Sequence, residues 1–202
     1  MKTLDEIAIK HGTDKATEHP TGAHGYTPHY DRLFSPLRSK EVKVLEIGVG
    51  GGESIQTWLE YFPNALIYGV DIGKNTNPWN DTLSAAPAHE RYTFIDGDQS
   101  KPEFWKTVTD TLDPFDIIID DGGHFNDQII TTFCSLWFAL KPGGLYCIED
   151  LGVCYGVGTV FVRPGFPSHS DFLKTKLDEV IKDTHGIDWM CLSKELAILR
   201  KK

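Results

Sequence analysis

Short apolar runs alternate along this chain with longer stretches whose apolar residues recur every three or four positions. Lys43–Val49 reads as a strand, and Glu53–Phe62 as a helix with Ile55, Trp58, Leu59 and Phe62 on one face. Leu66–Ile72 is a second strand, and Asn75–His89 is irregular, with Pro78 and Pro87 among small polar residues. Arg91–Ile95 is a third strand, and Pro102–Leu112 a helix with proline in its first turn. Phe115–Asp120 is a fourth, apolar strand. Asn126–Leu140 is a long helix, stopped by Lys-Pro-Gly-Gly at 141–144, and Leu145–Ile148 is a fifth strand.

Apolar strands alternating with helices predict right-handed βαβ units and a parallel sheet covered on both faces. After Ile148 the rhythm changes. Residues 152–168 form a long loop rich in Gly and aromatics, followed by a helix over Ser170–Asp183. Ile187–Leu192 and Leu196–Arg200 are short strands with only Ser193–Glu195 between them, so the sheet ends in an antiparallel hairpin. The expected fold is α/β: a Rossmann-like, seven-stranded, mostly parallel sheet with helices on both faces. One domain is expected over residues 1–202, with 1–40 as a helical and loop cap and 41–202 as the core. The cap is expected to hold a helix at Leu4–Lys10 and another near Tyr30–Phe34.

With 202 residues, 40% of them hydrophobic, the chain is long enough to bury a core without disulfides. Twenty basic against 29 acidic residues give a net charge of −9. That balance argues against a nucleic-acid partner and against electrostatic binding to a membrane. The longest apolar stretch, Ile129–Leu140, is broken by Thr131, Thr132 and Ser135, and the first ten residues lack a signal peptide's apolar core. A cytoplasmic location is expected. Cys134, Cys147, Cys154 and Cys191 make no CxxC pair. Cys134 and Cys147 lie in apolar runs and are expected to be buried and inert, and Trp137 and Phe138 to be core.

In an open parallel sheet, ligands sit beyond the carboxyl ends of the strands. Strand one ends in Glu46-Ile-Gly48-Val-Gly50-Gly51-Gly52, strand two at Asp71, strand three at Asp98, strand four at Asp120-Asp121 and strand five at Glu149-Asp150. One such Asp is ordinarily a turn former; five such endings together point to a site. A dinucleotide fingerprint would place glycine at position 53, which is Glu53. A glutamate at that helix N-terminus disfavours pyrophosphate, and with it an NAD-dependent oxidoreductase. The spacing Glu46-x-Gly48-x-Gly50-x-Gly52 instead resembles the first motif of class I S-adenosylmethionine-dependent methyltransferases. That resemblance covers about residues 40–202. It implies that Glu46 and the three glycines lie at the cofactor, that Asp71 holds the ribose hydroxyls, and that Asp98 holds the adenine amine.

A narrower resemblance rests on Asp120-Asp121-Gly122-Gly123-His124 followed by Glu149-Asp150. This pattern is similar to the metal-dependent sugar O-methyltransferases of the macrocin and mycinamicin type, as are Gly12-Thr13-Asp14-Lys15 and His24-Gly25-Tyr26. The resemblance implies a metal held by Asp121, Glu149 and Asp150, with His124 as base. Adjacent residues at a strand end point to opposite sides, so the sequence leaves open whether Asp120 or Asp121 faces the metal; the resemblance favours Asp121 and leaves Asp120 at the cofactor. Independently, clustered carboxylates with no Lys or Arg in either motif need a cation, a shared proton or basic partners, and Mg²⁺ suits oxygen ligands.

The expected activity is methyl transfer from S-adenosylmethionine to a hydroxyl of a sugar or other small secondary metabolite, with S-adenosylhomocysteine as product. The alternatives are a metal-independent methyltransferase acting on O, N or C, and a methyltransferase-fold protein that catalyses a rearrangement or cyclisation, or only binds. A homodimer is one open expectation. His11, His19, His24 and His29 lack finger-type zinc spacing. His24, Tyr26 and Tyr30 are weighed as a lid over the cofactor against plain packing. Tyr155, Phe161, Arg163 and Phe166, in the loop after strand five, are weighed as an acceptor cover against plain packing.

Overall fold

The computed structural model describes residues 1–73, 88–154 and 161–202. The irregular stretch read over Asn75–His89 lies largely outside them, as does Tyr155. The helices are α1 (Leu4–His11), α2 (Thr27–Phe34), α3 (Glu53–Tyr61), α4 (Pro102–Thr111), α5 (Asn126–Leu136) and α6 (His169–Ile181). The strands are β1 (Lys43–Ile47), β2 (Leu66–Asp71), β3 (Tyr92–Asp96), β4 (Phe115–Asp120), β5 (Leu140–Ile148), β6 (Ile187–Ser193) and β7 (Leu196–Lys201). They form one seven-stranded sheet in the order β3-β2-β1-β4-β5-β7-β6, with β7 antiparallel to both β5 and β6. The expected α/β architecture and closing hairpin are both present. Two compact units can be separated, Met1–Val44 with Val49–Asp96, and Leu45–Gly48 with Gly97–Lys202.

In the first unit, α1 opens on a capping box between Thr3 and Glu6 and closes at Gly12, whose φ of 76° suits glycine. Asp5 accepts the Thr17 amide at 2.8 Å and the Thr17 and Thr27 hydroxyls, tying α1 to the chain before α2. Tyr26, Tyr30, Phe34, Trp58 and Phe62 are buried as one aromatic cluster. Packing, rather than a lid, therefore accounts for Tyr26 and Tyr30. The Arg91 guanidinium donates to the carbonyls of Leu59, Phe62 and Ala65, each at 2.9 Å, satisfying groups that the end of α3 leaves over. β2 and β3 run parallel, with Asp71 opposite Asp96.

In the second unit, β4 and the second half of β5 are buried and parallel, with Ile117 opposite Leu145 and Asp120 opposite Ile148. Here α5 departs from expectation: it ends at Leu136, four residues early. Leu140 is already taken as the partner of Phe115, and the Pro-Gly-Gly, instead of stopping a helix, is absorbed in a register irregularity of β5. The Lys201 ammonium donates to the carbonyls of Trp137 (2.9 Å), Phe138 (3.4 Å) and Leu140 (2.6 Å), capping the helix end from a distant strand. Phe138 consequently sits in a turn, 83% exposed, and is not core; Trp137 is buried as expected. Cys134 is exposed rather than buried, because α5 turns Ile129, Thr132, Phe133 and Leu136 inward and leaves position 134 outside that face. Cys147 is buried, as expected. The hairpin pairs Ser193 with Leu196, so its turn is two residues rather than three. Among the described residues, no helix is long and apolar enough to cross a membrane.

Candidate functional site

In the first unit the glycine loop is tied to the end of β2. Asp71 Oδ2 accepts the backbone amides of Val49 (2.8 Å) and Gly50 (3.2 Å). Gly50 and Gly52 hold φ values of 52° and 89°, and Gly52 is the N-cap of α3. These amides and the carboxylate are hydrogen-bonding groups suited to a polar nucleoside. β3 ends at Asp96, whose Oδ1 accepts the Gly73 amide at 2.7 Å.

The remaining predicted residues lie in the second unit. Glu46 is fully buried on β1. Gly48 follows with φ 84°, and a Cβ there would fall on the Asp121 carbonyl, so only glycine fits. Asp121 donates its amide to the Ile47 carbonyl at 2.9 Å. Asp98 lies two residues beyond the end of β3, half-buried, with Oδ1 accepting the Ser100 amide at 2.8 Å.

Asp120 and Asp121 diverge at the end of β4. Asp120 is 1% exposed and points inward, taking hydrogen bonds from Gln99 Nε2 (3.2 Å) and the Tyr146 hydroxyl (3.4 Å). Burial pushes its carboxyl up to about 7, against the pull of those bonds and of the Gly122 amide. Burial likewise raises the Tyr146 hydroxyl well above its usual range, keeping it a donor.

Asp121 turns the other way. It, His124 and Asp150 each offer a ligand atom, and these atoms all lie within 4.8 Å of one another. His124 Nε2 is 3.5 Å from Asp150 Oδ2. His124 and Asp150 both hold left-handed backbone, with φ of 57° and 55°. Such conformations are uncommon outside glycine, and they cluster at sites where the surroundings hold them in place. Glu149 is buried and donates its amide to the Asp120 carbonyl at 3.0 Å; it is not one of the three clustered residues. The two carboxylates, each half-buried, suit a hard divalent cation that keeps positions for water or a substrate oxygen, with the His124 imidazole standing beside them.

Three surrounding residues carried no sequence signal. Gln99 Oε1 accepts the Gly123 amide at 2.6 Å. His169 Nε2 donates to the His124 carbonyl at 2.8 Å. A carbonyl can only accept, so Nε2 carries the hydrogen, and burial holds this imidazole below the usual histidine range and therefore neutral. Asn126, fully buried, spends its side chain on the returning loop: Nδ2 donates to the carbonyls of Arg163, Phe166 and Pro167, and Oδ1 accepts the Arg163 amide at 2.6 Å. Phe161 stands edge-on to His124, with ring centroids 6.5 Å apart. The Arg163 guanidinium lies over the Phe125 ring and 3.3 Å from Asp127. Phe166 is exposed.

β7 is antiparallel to β5 with Ala197 opposite Ile148, so the hairpin turn lies at the same end of the sheet as Glu149 and Asp150. There a cavity of about 460 Å³ opens between Leu151, Leu173, Leu192, Ser193, Lys194 and Glu195. Of the N-terminal histidines, His11 pairs with Glu60 (2.7 Å), His19 with the Thr21 hydroxyl (3.0 Å), and His24 lies 3.9 Å from Asp14. None belongs to a metal-competent group among the described residues.

Sheet order, terminal hairpin and glycine loop are those of the class I S-adenosylmethionine-dependent methyltransferase fold. No protein-family model matches the chain. It is 40% identical over 161 residues to demethylmacrocin O-methyltransferase of Streptomyces fradiae, covering 76% of this chain and 37% of that protein. It is 41% identical over 155 residues to mycinamicin VI 2''-O-methyltransferase of Micromonospora griseorubida, covering 73% and 35%. Among solved structures, the MycE methyltransferase of the mycinamycin biosynthetic pathway, in complex with Mg, SAH and mycinamycin VI, superposes with a TM-score of 0.82 at 33% identity, covering 99% of this chain and 54% of that one. The chain is thus a homologue of the sugar O-methyltransferases of the macrocin and mycinamicin type. It spans between about a third and a half of the length of the curated relatives it matches.

Proposed function

We propose that this protein transfers a methyl group from S-adenosylmethionine to a hydroxyl of a sugar borne by a small secondary metabolite, with a divalent cation, Mg²⁺ in the first instance. The observation that carries the reading is the grouping of Asp121, His124 and Asp150, two of them in left-handed backbone. The reading is supported by relatives whose names specify glycosyl-bearing acceptors, a rhamnosyl tetracenomycin C and an olivosyl-oleandolide, and by a structural neighbour described with Mg and SAH.

When bound, the donor supplies an electrophilic methyl on a sulfonium, and the divalent ion makes an acceptor hydroxyl more acidic. Asp71 is assigned to the ribose hydroxyls and Asp98 to the adenine amine. Glu46, Gly48, Gly50, Gly52 and Asp120 complete the proposed cofactor set. Asp121 and Asp150, with Glu149 as a third carboxylate, are assigned to the metal. His124 Nε2 takes the proton from the acceptor hydroxyl, and Asp150 Oδ2, 3.5 Å away, pairs with the imidazolium that results. The cavity at the hairpin turn, walled by three leucines, suits the apolar part of an acceptor.

The test is calorimetric titration of chelator-treated protein with S-adenosylhomocysteine, with and without Mg²⁺, followed by an acceptor screen with glycosides. Micromolar binding and methylated product that depends on Mg²⁺ are expected. Absence of nucleoside binding in both conditions would overturn the reading. Activity that survives full chelation would leave a metal-independent methyltransferase.

A further inference from the structure

The turn that carries Asp121 and His124 is held from both ends by residues that ligate nothing. Its glycines have no room for side chains. A Cβ on Gly122 would strike the Gln99 carboxamide oxygen, and one on Gly123 would strike that of Gln128. The turn therefore lies flat on a bed of side-chain amides. At its centre, Gln99 Oε1 accepts the Gly123 amide at 2.6 Å, while Gln99 Nε2 donates to Asp120 Oδ1 and to the Thr132 hydroxyl, both at 3.2 Å. The Gln99 carbonyl is anchored in turn by the Trp105 indole at 2.9 Å. At the far end, His169 Nε2 donates to the His124 carbonyl at 2.8 Å.

His169 is 2% exposed and is the first residue of α6, so its ring is set by a helix and not by a loop. A left-handed residue such as His124 tends to relax unless something fixes it. The hydrogen bond to its own carbonyl does that at the least adjustable point, the backbone. Just beyond it, the Asn126 side chain binds residues 163, 166 and 167, tying the segment leading into α6 to the start of α5 directly after the turn.

We propose that Gln99 and His169 are positioning residues that clamp the Asp121–His124 turn and so set the geometry of the metal cluster and of His124. The inference rests on the metal reading given above. Outer groups that orient a ligand ordinarily change metal affinity by about 10–100-fold when removed.

The test is Mn²⁺ binding to the full chain, followed by electron paramagnetic resonance, with S-adenosylhomocysteine affinity measured alongside. His169→Leu is expected to weaken Mn²⁺ binding at least about tenfold. His169→Gln, whose amide nitrogen reaches where Nε2 does, should restore it to within about threefold. Gln99→Leu should weaken it similarly, and S-adenosylhomocysteine affinity should stay within about twofold in both His169 variants. A merely structural role would lower thermal stability while leaving Mn²⁺ affinity in place. Wild-type Mn²⁺ affinity in both folded leucine variants, or failure of His169→Gln to rescue, would overturn the proposal. Wild-type protein that binds S-adenosylhomocysteine but no Mn²⁺ would overturn the metal reading itself and the clamp with it, an outcome visible before any variant is made.

Discussion

His124 Nε2 stands 3.5 Å from Asp150 Oδ2, and the two residues share a left-handed backbone at φ 57° and 55°. They come from different strand ends, one past β4 and one past β5, and each conformation costs on the order of 1–3 kcal/mol. Asp183, His185 and Glu195 hold similar φ elsewhere, but only His124 and Asp150, among these five, bring their side chains together at the acidic cluster. A proton acceptor beside a carboxylate is the functional return on that strain under the proposed chemistry.

His124→Ala should therefore reduce methyl transfer by about 10²–10⁴-fold, the ordinary worth of a positioned base. S-adenosylhomocysteine affinity should hardly change. Single-turnover product formation checks this, and a variant with near wild-type turnover would remove His124 from the base role.

Asp71 both accepts two loop amides and is assigned to the ribose. Asp71→Ala is expected to weaken S-adenosylhomocysteine binding by about 10–100-fold, equivalent to losing about 1.5–3 kcal/mol of charge-assisted hydrogen bonding. Calorimetry reads it directly, and unaltered affinity would place the ribose elsewhere.

Gly48 and Gly50 offer an internal comparison. Both hold positive φ, but a Cβ on Gly48 meets the Asp121 carbonyl, whereas one on Gly50 meets nothing within 4 Å. Gly50→Ala should cost about 1 kcal/mol, and Gly48→Ala at least about 3 kcal/mol. Urea denaturation of both variants decides it; equal losses would mean that the carbonyl yields.

Asp5 gives a pH signature remote from the site. Burial raises its carboxyl, but hydrogen bonds from Thr17 and Thr27 outweigh this and hold it below the usual carboxylate range. The folded state then takes up a proton less readily than the unfolded one. Its stabilisation is complete above the unfolded value of about 4 and is lost as pH falls through the lower folded value. Asp5→Asn should cost about 1–2 kcal/mol at pH 7. The gap to wild type should narrow below about pH 4. A gap that stays constant down to pH 3 would contradict the shift.

Much of this protein was legible locally. Periodicity located β1, β2, β4 and α3 to within a residue or two, because a strand such as Phe115–Asp120 announces its burial by composition alone. The glycine spacing and the acids at the strand ends were readable for the same reason, since turn chemistry is local. What needed the tertiary structure depends on distant partners. α5 stops at Leu136 because Phe115 claims Leu140 and Lys201 takes the carbonyls left over, and that exposed Phe138. Which of Asp120 and Asp121 turns inward is decided by Gln99 and Tyr146, 21 and 26 residues away in the chain. The grip of His169 on His124 spans 45 residues. A side chain's direction at a strand end follows from what packs behind it, and sequence order does not carry that information until the sheet has assembled.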